Sequence, residues 1–259
     1  MTIDRESLRT SVRQRGGSLA LTIAAPTVLF LLLGLLWQLV ATRLASILPP
    51  LEEVAADFLS RPDFYALNLL ETLHSGLLGL AAGVIVAIGL AVAIVHVRVL
   101  RAAIIPLALL LNVTPVVAIS PALVVAFGFT ATPHVIVAAI SAFFPMLINA
   151  ITGLQRVDSG ALDVFRVLGA SRLDVFLRLR VPTSLPFLFV GLRLSVTTAM
   201  VGAVVSEFTG TAKGIGAVIV NATAYLNLSQ MWCAIGVSAL TSLALLGLVT
   251  ILERISIRW

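Results

Sequence analysis

Cysteine occurs once, at Cys233, and lysine once, at Lys213. The single thiol excludes an internal disulfide and any multi-cysteine metal centre, and at the start of an apolar run it is expected to pack as a small hydrophobe. Lys213 is followed by Gly214 and Ile215. A phosphate-cradling P-loop needs Gly-Lys-Ser/Thr, so the chain is not itself a Walker-type ATPase. The three histidines, His74, His96 and His134, are far apart and show no HExxH or comparable ligand spacing. Each falls near the end of an apolar run, where a hydrogen-bonded interfacial imidazole is expected. No G-x-S-x-G nucleophile turn is present, and Ser206-Glu207 has no histidine nearby in sequence. Charged residues make up only 11% of the chain, and the net charge of +5 comes from scattered arginines. Without a contiguous basic tract to track phosphates, nucleic acid is excluded as a partner.

What remains is apolar: 59% of residues are hydrophobic and the mean hydropathy is +1.10. Such a chain is far too apolar for an ordinary soluble domain, so its natural solvent is a bilayer. Charge-free runs at 19–42, 76–95, 102–129, 135–154, 181–206 (broken only by Arg193) and 231–252 are each long enough to cross about 30 Å of hydrocarbon. The expectation is an all-α polytopic membrane protein with about six transmembrane helices. The first run follows Arg5, Arg9, Arg13 and Arg15 but is longer than the 7–15 residues of a signal-peptide core, so it is expected to be retained. That gives a cytoplasmic arm over 1–18 and a membrane domain over 19–259.

Arginine placement sets the orientation. The N-terminal arm, the turn with Arg98 and Arg101, the loop over 156–182 and the tail with Arg254 and Arg258 all fall on one side, and Arg43, Arg61 and Lys213 on the other. Both termini are therefore expected in the cytoplasm. On the outer side, Leu51, Val54, Ala55 and Phe58 are spaced for a short amphipathic surface helix, and the Gly/Asn/Thr-rich stretch after Lys213 reads as a re-entrant or surface helix.

The cytoplasmic loop is the most informative segment. Asp158 or Ser159 can cap a short helix with Leu162, Phe165 and Leu168 at helical spacing, and Gly169 suits a left-handed C-terminal turn. Ser171 and Asp174 form an acidic version of the capping box before Leu173, Phe176 and Leu177, and Pro182 is expected to stop this second helix. Two short helices hinged at a glycine, rimmed by Arg166, Arg172, Arg178 and Arg180, suit either a docking surface or a pair of helices lying on anionic lipid.

The spacing of Asp163, Gly169, Leu179, Val181 and Pro182 resembles the EAA loop of ABC importer permeases, with Asp163 in place of the usual Glu and Val164-Phe165 in place of two alanines. The resemblance extends over nearly the whole chain after residue 30. Its features are Leu48-Pro49-Pro50, the stretches at 111–129 and 144–158, GLRLS at 191–195, VSEF at 205–208 and GIG at 214–216. The sulfonate, nitrate and taurine branch is the most similar in these features.

The resemblance implies the type I ABC importer permease fold, in a bacterial inner membrane. Two copies form the pathway, ATP-binding cassette ATPase subunits dock on the loops, and a periplasmic or lipid-anchored binding protein delivers substrate. ATP and magnesium would sit on the ATPase, and no cofactor on this chain. Asp163, Phe165, Arg166, Gly169, Ala170, Ser171, Arg172 and Pro182 would carry the mechanical contact, and none would be catalytic.

Pathway candidates come from polar groups beside broken backbone. Pro106, Pro115, Pro121 and Pro145 remove ladder donors, with Asn112 and Thr114 beside the central break. This region fits either a pathway wall or a kink needed for packing. Asn112, Thr114, Pro115, Ser120 and Glu207 are the candidates, Glu207 because an intramembrane carboxylate is costly unless paired or wet. Arg193 is expected to snorkel or to pair with a loop carboxylate such as Asp163. Small organic sulfonates and related anions are the first expected substrates and a neutral vitamin precursor the second. An ion-coupled transporter or an intramembrane enzyme is the alternative from another class. The former is opposed by the scarcity of ionisable residues within the spans.

Overall fold

A computed structural model describes residue 24 and residues 27–44 and 47–257, apart from the side chains of Arg98 and Asn112. The expected N-terminal arm over 1–18 and most of 19–26 lie outside the described residues. The chain forms two compact units, 1–57 and 58–259. Among the described residues every regular element is helical, as expected.

In the first unit, α1 (Thr27–Arg43) is a short apolar helix. Trp37 Nε1 donates to the Pro49 carbonyl at 3.0 Å, and the Gln38 amide bonds both Glu52 Oε2 (3.0 Å) and the Leu51 N–H (3.1 Å), folding the Pro49-Pro50 turn back onto α1. The expected amphipathic helix is α2 (Leu51–Ser60), with Glu52 and Glu53 in its first turn where they complement the helix dipole.

The second unit is built on α3 (Pro62–His96), α6 (Thr132–Gln155) and α9 (Val181–Ser206). α3 starts earlier than its charge-free run, taking Asp63, Glu71 and His74 into its N-terminal turns; 35 residues span about 52 Å, more than the hydrocarbon requires. Its buried face is a ladder of small residues, Ser75, Gly76, Gly79, Gly83, Ala87 and Ala91. This lets α6 approach so closely that a Cβ on Gly79 would stand 2.5 Å from that of Ala138. Lipid tails give no hydrophobic drive between helices, so contact of this kind and interhelical hydrogen bonds hold the bundle. Ser195 Oγ of α9, fully buried, donates to the Ala142 carbonyl of α6 at 2.7 Å.

α4 (Arg98–Val113) and α5 (Val116–Phe127) form one apolar run bent by 87°. The bend falls at Thr114-Pro115, where Thr114 takes the extended conformation that a following proline favours. Pro106, Pro121 and Pro145 lie inside continuous helices, so of the expected interruptions only Pro115 redirects the chain. Membrane helices tolerate such prolines because neighbours satisfy the freed carbonyls.

After α9, a 3-10 turn (Glu207–Thr209) leads to α10 (Ile215–Ala224), too short to span, and then to α11 (Leu228–Ser256), which begins by burying Cys233. Among the described residues four helices are long and apolar enough to cross a membrane, and the bent pair makes a fifth if it crosses. The run at 19–42, needed for six, falls partly outside the described residues. Arg193 forms an ion pair with Glu253 of α11, not with Asp163, which is bonded to Arg166. Glu253 stands on the helix packed beside α9, and the loop carboxylate is satisfied locally.

Candidate functional site

The loop between α6 and α9 folds largely from its own sequence. Asp158 caps α7 (Ser159–Val167), its Oδ2 accepting the Ala161 N–H at 3.0 Å. At the other end Ala170 N–H donates to Phe165 O and Gly169 N–H to Arg166 O, both at 3.0 Å, the paired bonds of a Schellman motif. This closure requires the left-handed residue Gly169, φ +66°. Ser171 then caps α8 (Arg172–Val175): its Oγ accepts the Asp174 N–H at 3.1 Å and donates to Asp174 Oδ2 at 2.5 Å. Asp174 Oδ1 also faces Arg178 Nε at 3.4 Å.

Pro182 does not stop the second helix. A π-helical turn (Phe176–Arg180) shifts the ladder, with Val181 N–H donating to Phe176 O, so Pro182 enters the first turn of α9, where a missing donor costs little. The helix therefore runs continuously from Arg172 to Thr209.

The loop is held to the bundle by Arg180 Nη1, which donates to Leu154 O at 2.9 Å, and by the Arg156 guanidinium over the Phe187 ring. Of the two expected apolar stripes, Leu162, Phe165 and Phe176 are half-buried, whereas Leu168 and Leu173 are 76% and 65% exposed. With Val167, 89% exposed, they form apolar knobs around the Gly169 hinge, next to the exposed Asp163, Arg166, Ser171 and Arg172.

The pathway candidates separate into two places. Thr114 lines a cavity of about 320 Å³ together with Ser141 and Phe144 of α6 and Thr197, Thr198 and Val201 of α9, and among the described residues no charged one lines it. Pro115 is exposed at the bend itself, and the Asn112 side chain lies outside the described residues. Ser120 and Glu207 belong instead to a buried polar cluster at the far end of α9. Ser120 is fully buried, bonding Ser206 O (3.2 Å) and Thr209 Oγ1 (2.8 Å).

Glu207, 3% exposed, accepts the Thr72 hydroxyl at 3.0 Å and the Gly216 N–H at 2.8 Å. Thr72 Oγ1 in turn accepts the Ile215 N–H at 2.8 Å, and Asn68 Oδ1 the Gly214 N–H at 2.9 Å. Three side chains thus take the first donors of α10, with the carboxylate at the positive end of the helix dipole. The GIG stretch follows from this arrangement, since a Cβ on Gly214 would meet the Glu207 carboxylate at 2.5 Å. Beside it, His134 Nδ1 stands 3.0 Å from Ser206 Oγ, and a cavity of about 330 Å³ is lined by Glu71, Ser75, His134, Glu207 and Lys213. Sequence reasoning missed Asn68 and Thr72. Their spacing of four on α3, with Ser75 one turn on, was the available signal. Among the described residues no group of histidine, cysteine and carboxylate side chains could hold a metal ion.

A multi-pass helical bundle with a self-capped amphipathic loop at one end and an uncharged, hydroxyl-bearing cavity along its helices defines a membrane permease. The chain belongs to the family of binding-protein-dependent transport system inner membrane components, whose model matches residues 79–256. It is a permease subunit of an ABC importer and not an enzyme. Among its relatives, the riboflavin transport system permease protein RibX of Chloroflexus aurantiacus is 34% identical over 164 residues, 63% of this chain and 61% of RibX. The formylaminopyrimidine transport permease protein ThiX of Halalkalibacterium halodurans is 30% identical over 194 residues, 74% of this chain and 78% of ThiX. The putative aliphatic sulfonates transport permease protein SsuC of Bacillus subtilis is 30% identical over 150 residues, 58% of this chain and 54% of SsuC.

Proposed function

We propose that two copies of this chain enclose a passage for a small neutral heterocycle, handed over by a soluble binding protein on the outer side and driven by ATPase subunits docked on the 156–182 loop. Both termini lie in the cytoplasm in this reading, on the side of the arginine-rich loop. Asp163, Phe165, Arg166, Gly169, Ala170, Ser171, Arg172 and Pro182 carry the ATPase contact. The apolar knobs Val167, Leu168 and Leu173 supply the buried area, and the arginines supply orientation. Asn112, Thr114 and Pro115 belong to the wall of the passage, while Ser120 and Glu207 hold its outer end in shape.

The observation that carries the substrate class is the lining of the cavity at the α4–α5 bend. Thr114, Ser141, Thr197 and Thr198 offer hydroxyl oxygens and Phe144 an aromatic face, with no cation among the described lining residues to balance an anion. A desolvated anion without a counter-charge is costly, whereas a neutral ring with hydrogen-bonding edges suits hydroxyls and an aromatic face. This reverses the order expected from the sequence. Relatives named for riboflavin and formylaminopyrimidine transport support the same choice. A sulfonate-type anion is the second reading; relatives named for aliphatic sulfonates favour it, although the four lining hydroxyls donate to carbonyls of their own helices and present acceptor oxygens to the cavity. Lys213, an outer cation beside the other cavity, already faces Glu71 Oε1 at 3.9 Å.

Reconstitution with the cognate ATPase and binding protein in proteoliposomes tests the choice. Uptake of a riboflavin-type or pyrimidine-type solute, abolished by Thr198→Arg, is the expected result. Uptake of a sulfonate that survives or improves in Thr198→Arg overturns the neutral-substrate reading.

A further inference from the structure

A cavity of about 530 Å³ opens between the inner end of α3 and the loop, and its lining includes His96, Leu162, Arg166, Arg172, Phe176 and Arg180 but no carboxylate. Asp163 pairs with the lining Arg166 at 2.9 Å and Asp174 bonds Ser171 and Arg178, so neither carboxylate is paired with Arg172 or Arg180. Among the described residues Arg172 and Arg180 enter no ion pair. Arg180 is fixed in place by its bond to Leu154 O, which uses one of its five donors. His96 is fixed as well. Its Nδ1 lies 2.8 Å from the Val92 carbonyl, which can only accept, so Nδ1 carries the hydrogen, and the ring sits 5.1 Å from that of Phe176. That leaves Nε2 as the imidazole nitrogen without a partner among the described residues.

Arg166 has Asp163, but Arg172 and Arg180 share the space without a counter-charge among the described residues, and their planar forks match tetrahedral oxyanions in bidentate fashion. We propose that this cavity is a binding site for a phosphate oxyanion, filled by the headgroup of an anionic phospholipid of the cytoplasmic leaflet. The position favours the lipid: His96 is the last residue of α3, so the cavity lies where a spanning helix leaves the hydrocarbon. Inner-leaflet phosphates and juxtamembrane arginines attract one another at this depth. The site is independent of the transported solute and stands whichever substrate reading holds.

The test uses the full chain purified with the subunits that accompany it, placed in nanodiscs of equal phosphatidylglycerol and phosphatidylcholine, with retained lipid read by native mass spectrometry. The wild-type protein is expected to enrich phosphatidylglycerol. Arg172→Gln should lower the enrichment about fivefold, and Arg172→Gln/Arg180→Gln about fivefold again. The Arg172 side chain makes no hydrogen bond or ion pair among the described residues, so the single variant loses no bond within the chain. Because Arg172 also belongs to the proposed ATPase contact, the ratio is read only from particles that retain the ATPase in the same spectra. Arg254→Gln, at the inner end of α11 and outside this lining, should leave the ratio unchanged. Equal ratios in wild type and Arg172→Gln, or an equal drop in Arg254→Gln, overturn the proposal. In lipid-depleted detergent, inorganic phosphate is the second probe. Thermal protection by phosphate that vanishes in Arg172→Gln, without lipid enrichment, upholds the oxyanion site and assigns it to a soluble phosphate.

Discussion

Replacing Gly169 isolates what the loop needs from its hinge. The residue has φ +66°, and a Cβ built on it meets no atom within 4 Å. Neighbouring atoms therefore oppose no side chain there, and the cost of substitution is the left-handed backbone alone. That cost is about 1–2 kcal/mol for an ordinary L-residue, larger for a β-branched one, and smaller for asparagine, which bonds locally in this region. Two Schellman bonds, from Gly169 and Ala170, depend on the conformation, so the loss is expressed as reopening of the hinge between α7 and α8. At about 1.4 kcal/mol per tenfold, the share of loops in the native geometry relative to reopened ones falls roughly 5- to 30-fold on going to alanine and further on going to valine.

The assay is co-purification of the ATPase subunit and ATP-driven uptake in the series Gly169→Asn, Gly169→Ala and Gly169→Val, with membrane insertion measured in parallel. The expected order is asparagine near wild type, alanine lower and valine lowest, with insertion unchanged throughout. Valine performing as well as asparagine refutes the backbone argument. Equal loss in all three variants refutes it differently, because a flat partner surface would then be excluding any Cβ from the hinge.

Three further comparisons probe the bundle. Glu207→Ala strands the Gly216 N–H, at about 1–3 kcal/mol for a buried unpaired group, while the Thr72 hydroxyl can fall back on the Asn68 carbonyl at 3.3 Å; its melting temperature should fall below that of Glu207→Gln, which keeps an acceptor oxygen. Equal melting temperatures would remove the anchor role. Gly79→Leu drives a side chain into Ala138 and the α6 backbone and should prevent stable folding, whereas Gly89→Leu, with nothing within 4 Å, should express normally. Glu253→Gln leaves Arg193 without its partner and with a buried Nε already unbonded; partial exposure of the pair lowers the loss to about 1–3 kcal/mol. Arg193→Leu/Glu253→Leu should recover much of it, and a thermal-unfolding cycle that shows no coupling would argue against the tie between α9 and α11.

The parts of the molecule legible in the sequence are those decided by local bonds. Asp158, Gly169 and Ser171 act over three to five residues, so their caps could be read directly, as could the break where Thr114 precedes Pro115. Apolar runs likewise located the helices, though not their outer ends, because α3 continues through Asp63, Glu71 and His74 once these leave the hydrocarbon. What could not be read depends on which helices become neighbours. Glu207 looked like a pathway carboxylate because its cost was visible, while the groups that satisfy it, Thr72 and the Gly216 N–H, stand on two other elements. Arg193 found Glu253 for the same reason. The π-helical turn left no local mark, so Pro182 read as a stop when it is the start of α9.

That turn shapes how the loop is attached. An α-helix continuing past Arg178 would press the Pro182 ring against the carbonyl four residues back, and a break there would leave α8 free to swing. Shifting the ladder by one residue between Phe176 and Val181 admits the proline without a break. The second loop helix and α9 then form one rod of 38 residues, about 57 Å long. One end holds the Ser171, Asp174 and Arg178 bonds, and the other holds Glu207 against α3 and α10. The other attachment is different in kind, since α6 ends at Gln155 and reaches α7 through the non-helical Arg156, Val157 and Asp158. Under the proposed docking role, a push on the loop from an ATPase would bend this connection and move the rod as a whole. Displacement at Gly169 would then arrive at the α10 cap without being absorbed along the way.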